Sequence, residues 1–218
     1  MQNGTTPRVG NGGKAPGGNE PSKATSAPSP YKLSNTNTWD TRQLVTMALM
    51  CAIGVLLSFI EFPLLPGVTW LKYDASAMPA MVCGFAFGPA AGLSVGVVGA
   101  VIHGILMADF SGALMNILVV TGFVLPAAAV YRRSRTFRSG AVGLALSVIA
   151  ATIMAILGNL LVTPAWLGVP LDAVIAMILP ILTPFNLAKG VLNAVLTLVV
   201  YKSVSNLITP KKKQVKGR

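Results

Sequence analysis

The run ASAMPAMVCGFAFGPAAGLSVGVVGAVIHGILMA, residues 75–108, decides the fold. As one helix it would be ~50 Å long at ~1.5 Å per residue, far beyond a hydrocarbon core of ~30 Å. It also contains Phe87-Gly88-Pro89, a helix-breaking turn. Two shorter helices joined at Gly88-Pro89 are expected, and the number of membrane crossings turns on that join.

Outward from this run the chain keeps the same character. Its 218 residues are 53 % hydrophobic and 11 % charged, with a mean hydropathy of +0.68, whereas ordinary soluble domains carry roughly 25 % charged residues. Further apolar blocks lie at about 44–60, 111–131, 140–163 and 178–201. The expectation is an all-α polytopic membrane protein with six transmembrane helices within residues 39–206. Residues 1–38 are rich in Gly, Pro, Ser, Thr and Asn and read as a disordered cytoplasmic tail; residues 207–218 read as a basic cytoplasmic tail. No apolar core precedes Leu44, so no cleavable signal peptide is expected. GNGGK lacks the spacing and the Ser or Thr of a phosphate loop. Cys51 and Cys83 both lie in apolar runs and read as small core residues.

Charge placement fixes the topology. Of seventeen basic residues, five precede the first apolar block, four lie in YRRSRTFR (131–138) and six lie from Lys202 onward. With both termini cytoplasmic, six crossings put all three clusters inside, as the positive-inside rule requires. The outside connections then hold Glu61, Lys72, Asp74, Asp109 and Asp172, four acids and one base. Basic clusters bordering apolar segments argue against a nucleic-acid partner, and the tail KKKQVKGR suits anionic lipid headgroups.

Lys189 is the anomaly. It lies thirteen residues before Lys202, ~20 Å of helix, too far for its ammonium to snorkel out. An ionisable group at such a depth points to a functional site. Asn186, Lys189, Asn193 and Thr197 share a helix face, as do Thr152, Asn159 and Thr163. Asn116 and the one histidine, His103, add polar groups in two further helices. Such stripes suit the wall of a cavity for a polar ligand; they also suit helix-to-helix hydrogen bonds, worth only about 0.6 kcal/mol each. Small residues form a second pattern: Ala48 and Ala52 in the first helix, and Gly88, Gly92, Gly96, Ala100 and Gly104 in the third. Such ladders pack helices closely, within the bundle or against another membrane protein.

WLKYDASAMPAMVCGFAFGPAAG, GALMNI, GNLLVTPAW and PFNLAKG occur in this order. With Ala48-xxx-Ala52 they resemble the substrate-binding S-components of energy-coupling factor (ECF) vitamin transporters, closest to the riboflavin-specific branch, over residues 42–206. The resemblance implies a six-helix subunit of a plasma-membrane ABC transporter in a prokaryote. Such a subunit captures a vitamin from outside and docks on a transmembrane coupling protein driven by two ATPases. Asn186, Lys189 and Asn159 match pocket positions, with Asn116 a further candidate. Leu71, Lys72, Tyr73 and Asp74 match the external loop that covers the ligand, and Ala48 and Ala52 match the docking motif. The flavin's carbonyl and imide edge suits Asn186 and Asn159, which donate and accept, and Lys189, which donates. Trp70 or Trp166 would stack near the mouth, though an interfacial aromatic belt explains them equally.

Gly99-Ala100 stand where riboflavin-specific members usually carry Lys-Asn, which keeps open another vitamin such as pantothenate, whose carboxylate would answer Lys189. A structural membrane subunit without transport is the alternative of a different class. With one histidine and neither HExxH nor GxSxG, no enzyme, catalytic residue, metal or cofactor is expected.

Overall fold

The computed structural model describes residues 39–208, with side chains described through Tyr201. The expected N-terminal tail, and all but the first two residues of the C-terminal one, lie outside the described residues. Helix α1 (Thr41–Ser58) leads into a small antiparallel hairpin, β1 (Phe62–Pro63) and β2 (Lys72–Tyr73), which pairs Phe62 with Tyr73 and Pro63 with Lys72. Helices α2 (Ala77–Phe87), α3 (Pro89–Met107), α4 (Phe110–Ser134) and α5 (Phe137–Leu167) follow. The last element is continuous: α6 (Leu171–Met177), a π-helical turn (Ile178–Leu182) and α7 (Thr183–Ile208).

The long apolar run breaks where expected. Gly88 has φ 102 and ψ 170, a conformation that a Cβ would disfavour. Pro89 then opens α3 at a position where its missing N–H costs nothing. Among the described residues, five helical elements are long and apolar enough to cross a membrane: α1, α3, α4, α5 and Leu171–Tyr201. The sixth, α2, has 11 residues, ~16 Å of helix, about half a hydrocarbon core. Pro79–Phe85 of α2 are all buried, because α1, α3, α4 and α7 surround it.

This short helix shapes the rest. α2 lies beside α7, from Asp74 near Lys189 at one end to Phe85 near Tyr201 at the other. A chain that enters so short a helix has to descend into the bundle first, and it carries residues 72–76 down with it. At the far end Phe85, Tyr131 and Tyr201 form an aromatic cluster closed by a Tyr131–Tyr201 hydroxyl hydrogen bond.

The final helix begins earlier than the sequence blocks suggest, because the segment with Asp172 is itself helical and runs on through the π turn. Pro180 and Pro184 have no N–H to give the ladder. The Thr183 N–H instead reaches back five residues to the Ile178 carbonyl, and Thr183 Oγ1 donates to the same oxygen at 2.8 Å. The glycine ladder of α3 turns inward: a Cβ on Gly92 would meet the Ala80 carbonyl oxygen, Gly84 Cα and Val124 Cγ1, each at 2.7 Å. Gly99 has only Val55 Cγ2, at 4.0 Å.

Gly92→Ala is therefore expected to destabilise the bundle by about 1–3 kcal/mol through overpacking against backbone, while Gly99→Ala is tolerated. Thermal unfolding of the two variants side by side in detergent checks the difference.

Candidate functional site: a cavity beneath the hairpin

A cavity of about 820 Å³ opens between the hairpin connection, α3, α4, α5, α6 and α7, within the roughly 300–1,000 Å³ typical of small-molecule sites. Its wall mixes apolar side chains (Met115, Val119, Val162, Phe185) with amides and charges. Seven of the eight ligand-site residues expected from the sequence line it: Asn186, Lys189, Asn159, Leu71, Lys72, Asp74 and Asn116. Tyr73 does not. It is buried with its ring edge-on to Phe62 at 5.3 Å, and its hydroxyl has no protein partner among the described residues. Strand alternation explains the split, since Lys72 and Tyr73 point to opposite faces of the hairpin.

Lys189 has its counter-ion inside the protein. Its Nζ donates to Asp74 Oδ2 at 2.7 Å, and the two side chains are only 15 % and 10 % exposed. Asp74 is fixed from three further directions. Its Oδ1 accepts from the Ser76 backbone N–H at 3.0 Å and from the Ser76 hydroxyl. Its carbonyl oxygen accepts from Asn193 Nδ2 at 3.2 Å. The end of the hairpin connection is thus bonded to α7 through one carboxylate and one carbonyl.

The other amides differ in what they leave free. Asn186 Nδ2 donates to the Leu182 carbonyl at 2.8 Å, and its Oδ1 has no protein partner among the described residues. Asn159 Nδ2 donates to the Ala155 carbonyl at 2.8 Å while Thr163 Oγ1 donates to its Oδ1 at 3.2 Å. Asn116 lines the cavity with neither end of its amide bonded within the described residues. Thr152, Asn193 and Thr197 share stripes with these residues yet do not line the cavity. They are buried and hydrogen-bonded to backbone carbonyls.

Three side-chain pairings were not legible beforehand. The partners of the ion pair stand 115 residues apart, and no local spacing reports that. His103 lines the wall with Nδ1 2.7 Å from Ser58 Oγ, at the start of the hairpin connection. Glu61, which also lines the wall, pairs with Lys72 across the hairpin. Of the two tryptophans considered, Trp70 lines the cavity, and Trp166 is exposed and does not. Ala48 and Ala52 sit outside the cavity on the exposed face of α1, beside the exposed Val45, Leu49 and Leu56.

Residues 42–201 match the family model described as the substrate-specific component of the ECF transporter. The chain is 30 % identical to the riboflavin transporter RibU of Staphylococcus aureus (strain TCH60) over 179 residues, covering 79 % of this chain and 95 % of that one. It is 31 % identical to the riboflavin transporter FmnP of Bacillus subtilis (strain 168) over 176 residues, covering 73 % and 90 %. A solved structure, described as the S component of a bacterial ECF transporter, superposes with a TM-score of 0.68 at 29 % identity, covering 78 % of this chain and 98 % of that one.

The ion pair makes a measurable demand. Lys189→Met leaves a buried carboxylate unanswered and is expected to cost about 3–5 kcal/mol, with Lys189→Met plus Asp74→Asn costing much less than the sum of the single changes; a double-mutant cycle of unfolding free energies reads the coupling.

Proposed function

The chain belongs to the substrate-specific components of ECF transporters, and on that premise we propose that it binds riboflavin from outside and delivers it inward. It is a multi-pass protein of the prokaryotic plasma membrane. The observation that carries the ligand assignment is the cavity itself. Asn186 offers a free acceptor, Asn116 a free donor and acceptor, and Lys189 two further N–H groups beyond the one given to Asp74. Methionine and phenylalanine side chains supply the apolar wall that a flavin ring needs. Leu71, Lys72 and Asp74 cover the ligand from the hairpin side, with Trp70 near the mouth.

The ion pair also weighs between vitamins. A carboxylate ligand such as pantothenate would answer a Lys189 without a counter-ion, and Asp74 already supplies one. A neutral ligand then suffices. The small residues at positions 99 and 100 face α1 and a small gap beside His103 and Asn116, so their effect on the ligand wall is indirect.

The topology that serves this role has six crossings with both termini inside, α2 and the descending hairpin connection together making one of them. Arg132, Arg133, Arg135 and Arg138 then face the cytoplasm, and Glu61, Asp109 and Asp172 face outside. The chain works as a binding subunit rather than an enzyme, with energy supplied by a coupling protein and two ATPases. Ala48 and Ala52, small and outward on α1, are the docking face for that coupling protein.

Purification in detergent from riboflavin-containing medium should give a stoichiometric flavin absorption spectrum. Asn116→Leu removes an amide that no group among the described residues uses, so it should fold normally and lose at least about tenfold in affinity, the scale of one or two lost hydrogen bonds. A well-folded wild type that neither retains nor rebinds riboflavin would sink the assignment.

A further inference from the structure

We propose that Asp74 is a specificity-determining residue, which makes the cavity accept a neutral hydrogen-bonding edge and reject an anionic one. The inference rests on the riboflavin reading and adds which charge state of the ligand the site takes. A lysine in a ligand cavity ordinarily attracts anions. Here its charge is already answered at 2.7 Å by a carboxylate that cannot retreat, because Ser76 holds its other oxygen and Asn193 holds its backbone. The two remaining N–H groups of Lys189 can donate to a neutral carbonyl or imide edge. A negative charge brought to the same ammonium would instead lie close to the Asp74 carboxylate in a partly dehydrated site, where like charges repel strongly.

The rest of the wall does not offset this. Glu61 and Lys72 answer each other across the hairpin. Asp109, at the α3–α4 turn, is held by Ser111 Oγ at 2.9 Å and the Gly112 N–H at 2.8 Å, with no basic partner among the described residues. His103 on α3 is engaged with Ser58. The charged lining residues are three acids, Glu61, Asp74 and Asp109, against two bases, Lys72 and Lys189. With His103 neutral the wall carries a net negative charge, unfavourable to an anion.

Riboflavin supplies its own probe, because its imide N–H ionises at alkaline pH and the anion differs in visible absorption. A pH titration of the bound vitamin is expected to show the imide in wild type ionising at least about one pH unit above free riboflavin, a tenfold change. In Asp74→Asn, where the ammonium is unanswered, it should fall at least about one unit below wild type. Asp74→Glu should behave as wild type, and Asp74→Asn with Lys189→Gln should titrate above Asp74→Asn, because burial then acts on the imide without the ammonium. Should Asp74→Asn fail to fold, wild type against the free vitamin carries the test. Wild type that binds riboflavin with an unshifted imide, or an Asp74→Asn imide that titrates as in wild type, overturns the charge assignment alone. Wild type that binds no riboflavin overturns the functional reading, and this inference with it.

Discussion

An ammonium group half-way along a membrane helix has to be answered, and Asp74 answers Lys189. Much of the architecture around the cavity follows from bringing that carboxylate to the right depth. Asp74 belongs to a connection between helices, and such a segment normally stays near the surface. It reaches Lys189 because α2 has only 11 residues and is sheathed by four other helices. The connection descends to meet it, with its backbone polar groups satisfied by the hairpin ladder and by Asn193. Without the short helix there would be no partner for the lysine. Without the lysine, the descending segment would bury an unpaired charge.

The same contact makes the cavity. A hairpin tied down at Asp74 and joined to α3 near Ser58–His103 roofs the space that α4, α5 and α7 leave between them. The polar groups that face this space are sparse and partly unpaired, whereas below it the Asn193 Nδ2 and the Thr197 hydroxyl donate to backbone carbonyls in a buried setting. That division separates a cavity wall from a packed interior along one face of a single helix. Outward, α1 exposes Ala48 and Ala52 on a face that takes no part in the cavity wall.

Much of this was legible in the sequence. Gly88-Pro89 announced the break between α2 and α3, because glycine geometry and a missing N–H are local properties. Apolar block lengths located α1, α4 and α5 to within a few residues, but not the start of the last helical element, which begins at Leu171 rather than near Ile178. Asn186, Lys189, Asn159 and Asn116 were found from polarity in apolar runs together with family resemblance. What escaped notice was tertiary. The consequence of a half-length α2 depends on what surrounds it, and the Asp74 partner of Lys189 lies in a distant segment. A polar stripe does not say which of its members face a cavity, so Asn186 and Asn193 looked alike. The π turn was different: Pro180 and Pro184, four residues apart, carried a readable signal that the hydrogen-bond ladder must shift there.

Amide hydrogen exchange in the hairpin connection tests most directly whether the ion pair holds the roof of the cavity in place. In wild type, the backbone around Lys72–Ser76 should be protected nearly as well as the neighbouring helices. If the pair pins this segment, Asp74→Asn and Lys189→Met should each raise its exchange by at least about tenfold while the α4–α5 helix pair keeps its protection. Unchanged protection of residues 72–76 in both variants would show that the hairpin is held by its other contacts, and that the Lys189–Asp74 pair is not what the cavity depends on.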